Sequence, residues 1–136
     1  MTTSKNFLSP DFSEKQEKLL RAVRMKPNLW KDGRLSSAAF KDKRGVSVDR
    51  VGGRAESDAI EYIRKNLEGA IVAVTVEFCQ NQAHACLKYK PTLNPYHSEI
   101  HGSETSVPLS PAQAHQLAQA AQIIYKPSSA NSSQIN

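Results

Sequence analysis

Apolar residues recur along the chain in short stretches separated by polar clusters, and the spacing within each stretch predicts an element. Leu19, Leu20 and Val23 lie on one side of a helical wheel. Ser13 followed by Gln16 has the form of a capping box. A first helix is therefore expected over 13–25, ended by Pro27. Leu29 and Trp30 follow, the single Trp reading as a core anchor. Residues 34–40 read as a short strand, 41–45 as a charged turn, and Val46, Val48 and Val51 as a second strand. Gly52-Gly53 breaks it. Ser57 caps a second helix whose Ala59, Ile60, Ile63 and Leu67 turn inward, and Gly69 stands at its left-handed end.

The clearest strand is 70–79, with Val72, Val74, Val76 and Phe78 on one face. Residues 80–82 read as a turn, and 84–90 alternate again. After a loop over 91–95, a third strand at 96–101 points Tyr96 and Ile100 inward. Following a polar loop, Ser110 caps the last helix and Pro111 takes its first position. Ala114, Leu117, Ala118, Ala121 and Ile124 form its apolar stripe.

The expected order is α, β, β, α, β, β, β, α. Three consecutive strands with short loops favour an antiparallel meander, with a crossover from the Val46 strand through the second helix adding a parallel edge. The expectation is a small two-layer α+β domain, the meander covered on one face by about three helices. It would occupy 13–126, flanked by a flexible N-terminal segment (1–12) and a low-complexity, disordered tail (127–136).

Composition narrows the class. The chain has 136 residues, 39% of them hydrophobic and 23% charged. This excludes a multidomain machine, a fibrous repeat and a disulfide-dense toxin. No secretory signal and no membrane-length apolar run is visible, so the expected location is cytoplasmic with no membrane partner, and Cys79 and Cys86 should be reduced thiols. The sequence holds no phosphate-binding glycine loop, nucleophile elbow or zinc-protease motif.

Three segments carry a resemblance: Gly33-Arg-Leu-Ser-Ser-Ala-Ala-Phe40, Val46-Ser-Val-Asp-Arg50 and Asn94-Pro-Tyr-His97. The chain resembles a family of small uncharacterised bacterial proteins with a G-R-x-S-S-x-x-F stretch, a short S-V strand and a later N-P-x-H element. The likeness spans residues 29–124. It implies that Arg34, Ser36, Ser37, Phe40, Ser47 and His97 act as a group, and it names no reaction.

Charge is uneven. Lys and Arg total 18 against 13 Asp and Glu, a net charge of +5, and residues 1–65 hold 15 of those cations against nine acids. The arginines of this half suit oxyanions, which a guanidinium grips bidentately. Arg34, Ser36, Ser37, Arg50 and Arg54 are the candidate ligand-binding residues, helped by backbone N–H groups at Gly52-Gly53. The plain alternative is a solvated surface, since Asp32, Asp42, Asp49, Glu56 and Asp58 are interleaved. Candidate partners are an anionic ligand such as a nucleotide, a nucleic-acid backbone or an acidic protein surface. Nucleic acid is the weaker case, because Trp30, Phe40 and Tyr62 are not interleaved as a stacking platform.

A second candidate is a histidine-rich face. In a strand, His97, Glu99 and His101 point the same way. Cys79, His84 and Cys86 point away from the apolar side of the preceding strands and would join them if those strands are neighbours. Zinc accepts such donors, but this spacing matches no known zinc signature, so no metal site is assigned and zinc is the less favoured use. For catalysis, His97 would be the acid or base and Glu99 its orienter, with Arg34 stabilising charge in phosphoryl or nucleotidyl chemistry. Anion binding without chemistry is preferred over that enzyme, and a structural homodimer joined along the meander edge is the third reading.

Overall fold

A computed structural model describes residues 8–92 and 94–127. It is an α+β domain, as the pattern predicts. Six strands form one antiparallel sheet: β1 (Lys18–Val23), β4 (Val46–Arg50), β5 (Ala70–Thr75), β6 (Cys86–Tyr89), β7 (His97–His101) and β8 (Gln122–Tyr125). A separate two-stranded hairpin joins β2 (Trp30–Lys31) to β3 (Arg34–Leu35). Two α-helices, α1 (Glu56–Arg64) and α2 (Pro111–Ala120), complete the layers with a 3-10 turn at Ser37–Phe40 and a π turn at Phe78–Gln82.

The segment expected as the first helix is the strand β1. It lies inside the sheet between β4 and β5. Leu19 and Val23 enter one core cluster while Leu20 enters the other. A strand buried on both faces shows a short apolar run, and over so few residues that run fits a helical wheel equally well. The Ser13 hydroxyl pairs with Ser9 instead of capping a helix.

The strand order is β6-β7-β4-β1-β5-β8, all antiparallel, so the three strands read as a meander are not consecutive neighbours and no parallel edge forms. The 70–79 strand stops at Thr75, because Val76 and Glu77 begin the helical turn that buries Cys79. The last helix starts as expected: the Ser110 hydroxyl accepts from the Gln113 N–H, and Gln113 returns a bond to Ser110. It ends at Ala120, and Ile124 belongs to β8 rather than to the helix stripe.

The helices lie on opposite faces. Ala114, Leu117 and Ala118 of α2 pack with Phe40, Leu19, Val46, Val48, Val72 and Val74, and half-buried Trp30 rests against this cluster. Arg21 clamps the 3-10 turn to the sheet by donating to the carbonyls of Ala39 (2.6 Å) and Ser47 (2.8 Å). On the other face, Ala59 and Ile63 of α1 cover Leu20, Ile71 and Ala73. The side chains of that helix pack over β1 and β5, its backbone also approaches β4, and neither α-helix covers the same face of β7 and β6. Within the segment expected as flexible, Ser9 and Phe12 are buried, while Pro10 and Asp11 are exposed. The expected tail, apart from Pro127, lies outside the described residues.

Candidate functional site

Alternation along β4 decides what each charge can do. Val46, Val48 and Arg50 point into the core under α2, so Ser47 and Asp49 point to the open face. β7 pairs with β4 so that Asp49 stands opposite His97 and Ser47 opposite Glu99. The turn before β7 is built by Asn94 and Pro95, where the Asn94 carbonyl accepts from the His97 N–H at 3.1 Å. The Asn94 side-chain oxygen accepts from the Tyr96 N–H at 2.7 Å. The Asn94 side chain also neighbours Asp49 and acts to lower its pKa.

These groups line a groove of about 330 Å³ between α1 and the open strands. Leu20 and Ala22 form its floor, Tyr62 and Ile63 of α1 with Asn66 just beyond it form its wall, and Ser47, Asp49, Asn94 and His97 its polar side. Burial is the main influence on Asp49 and raises its pKa above the ordinary 3.8, against the Asn94 amide and the charges of His97 and Arg54. A half-buried carboxyl facing an imidazole in a groove with an apolar floor is the arrangement of a ligand or acid–base site.

Behind His97 runs a second row. Glu99 reaches His97 Nε2 at 3.9 Å with one oxygen and His101 Nε2 at 2.8 Å with the other. Lys90 approaches Glu99 at 4.0 Å. The three side chains share a face, as the spacing predicts, and His101 is almost wholly buried beneath the Gly45 backbone.

The anion candidates separate. Arg34, Ser36 and Ser37 line one hollow of about 900 Å³ between the β2–β3 hairpin and α2, together with Lys31, Asp32 and His115. Ser36 is occupied locally, donating to the Asn28 carbonyl and accepting from the Ala38 N–H. Arg50 does not line that hollow. It is 0% exposed and bound bidentately to Glu17 at 2.8 and 3.0 Å, with a further bond to the Ser9 carbonyl and its plane against the Phe12 ring. Arg54 stacks 3.4 Å from the Tyr96 ring centre and donates to the carbonyls of Arg50 and Val51. Arg34 and His97 therefore lie on opposite sides of the sheet and share no cavity. Of the group implied by the resemblance, Ser47 and His97 meet in the groove, while Phe40 is core.

The wider histidine and cysteine set does not assemble. Cys79 is buried in the core, and burial pushes its thiol up to about 12. Exposed His84 lines a different hollow with Cys86. Among the described residues no group of three His, Cys, Asp or Glu is placed to hold a metal ion. Both cysteines are free, and no described helix is long and apolar enough to cross a membrane.

The sequence reading missed Asp49, Asn94 and Tyr62 as site residues. The alternation Val46, Val48, Arg50 already placed Asp49 on the open face, but nothing local linked it to His97, 48 positions away. Neither a protein-family model, nor a curated protein, nor a solved structure matches the chain.

Proposed function

We propose that the chain is a small ligand-binding domain whose α1–sheet groove exchanges protons with its ligand, His97 acting as acid or base and Asp49 as the second proton-bearing group. The observation carrying this reading is Asp49 itself. Its carboxyl is held half-buried beside His97 with the Asn94 amide and no Lys or Arg ion pair among the described residues, and burial raises its pKa. A carboxyl placed only for stability gains nothing from such an environment. The groove's size suits a ligand at the small end of the usual range of about 300–1,000 Å³. Its lining favours a compact molecule with an apolar body and hydrogen-bonding groups at one edge.

The test is carboxyl and amide NMR on the labelled protein. Asp49 is expected to titrate above the ordinary aspartate value, and compounds from a fragment library are expected to shift Asp49, Asn94, Tyr62 and His97 together. Asp49→Asn should abolish those shifts. An Asp49 midpoint at or below the ordinary value, or hits that map elsewhere, overturns the reading.

The anion-binding reading keeps one supporting observation. Lys31 and Arg34 face each other directly across the β2–β3 hairpin. Like charges in that position oppose the pairing, so a ligand that neutralises them would offset a standing cost. Ser37 and His115 border the same hollow, and Asp32 in the turn works against the anion. Inorganic phosphate is the probe. Binding that weakens with added salt and with Lys31→Ala or Arg34→Ala supports this site, and binding indifferent to both removes it.

A further inference from the structure

We infer that His101, acting through Glu99, is a positioning residue that fixes the ring of His97 with its proton on Nε2 and leaves Nδ1 as the proton-accepting atom of the groove. This rests on the groove reading for its purpose, though not for its geometry.

The chain of contacts begins at the buried end. The side chain of His101 is only 4% exposed, and its Nδ1 is buried without a hydrogen-bond partner. Its Nε2 lies 2.8 Å from Glu99 Oε1. A carboxylate oxygen only accepts, so the His101 proton sits on Nε2 and the unpartnered Nδ1 is a bare lone pair, the cheaper of the two groups to leave unsatisfied. Gly45 makes this burial possible. A side-chain carbon there would lie 2.5 Å from the His101 ring and 3.2 Å from Glu99 Oε1.

Pinned by that bond and by Lys90 at 4.0 Å, Glu99 turns its other oxygen toward His97 Nε2 at 3.9 Å. That spacing is ion-pair range rather than a hydrogen bond, and the field of the carboxylate still favours the N–H dipole pointing at it. The charged groups bearing on His97 come from three sides: Asp49 across β4, Glu99 with His101 on its own strand, and Lys90 beyond β6. Asp49 sits opposite His97 within the groove lining, and Glu99 takes up Nε2, so Nδ1 is the ring nitrogen that Glu99 leaves for exchange.

Ring-nitrogen correlations in NMR read the tautomer directly on the ligand-free protein. Wild-type His97 is expected in the single Nε2–H form. His101→Leu, which cannot donate to Glu99, and Glu99→Gln, which keeps His101 buried but removes the charge, should each yield a mixture of tautomers. His101→Gln, whose amide can donate in the same place, should restore the single form. A wild-type Nδ1–H tautomer overturns the inference, as does an unchanged His97 in Glu99→Gln. A change in Glu99→Gln without one in His101→Leu overturns the role of His101. None of these readings needs a ligand, so a groove that binds nothing would sink the proposed function and leave the tautomer result standing.

Discussion

Asp49 and Arg50 are consecutive in the chain and occupy opposite worlds. Arg50 turns inward and meets every requirement of a buried charge: a bidentate carboxylate, a backbone carbonyl and two aromatic faces. Asp49 turns outward into a groove, half-buried, with one amide and a neighbouring imidazole. The pair shows how a structural charge differs from a working one. The first is completed by its surroundings, so nothing further can bind to it. The second keeps an unmet demand that a ligand can answer.

The largest effect should come from breaking the completed side. Glu17→Ala leaves Arg50 buried without its counter-ion and is expected to cost about 3–5 kcal/mol in chemical denaturation. A loss under about 1 kcal/mol would mean that the pair is solvated and that the contrast with Asp49 is wrong. Next is Gly45→Ala, with φ at +103° and the His101 ring against the new carbon, expected to cost about 1–3 kcal/mol. It should also disturb the His97 tautomer, linking stability to the open side.

Asp49→Asn sharpens the comparison through pH. The folded pKa is raised, so the folded chain keeps this proton to higher pH than the unfolded chain does. Its contribution to stability is present below the ordinary value of 3.8 and is lost as pH rises through the raised folded midpoint. Wild type should therefore lose ground to Asp49→Asn across that window in denaturation series. A difference that is flat, or that moves in favour of wild type, removes Asp49 from its special place.

The smallest effect concerns the two thiols. An alkylating reagent at pH 8 should modify Cys86 in the native protein and spare Cys79 until unfolding, because burial holds the Cys79 thiol at about 12. Equal labelling would show that the core beneath the π turn opens readily.

Much of the local structure was legible. The Val46–Arg50 strand, the capped start of α2 at Ser110 and the shared face of His97, Glu99 and His101 follow from alternation and capping, which act over a few residues. Even the fate of Arg50 was written in its phase with Val46 and Val48. The candidate arginines were read by residue type, while burial sorted them: Arg34 to a hollow, Arg50 to the core, Arg54 onto Tyr96.

What the amino-acid order determined alone was therefore the two faces of β4, β5 and β7 and the capped start of α2. Which strands became neighbours was decided only when distant segments met, because pairing β4 with β7 and enclosing β1 between β4 and β5 depend on contacts across tens of residues that no local pattern encodes. The groove follows from that choice: a helix of nine residues packs over β1 and β5, and the strand order sets Asp49 and His97 beside it.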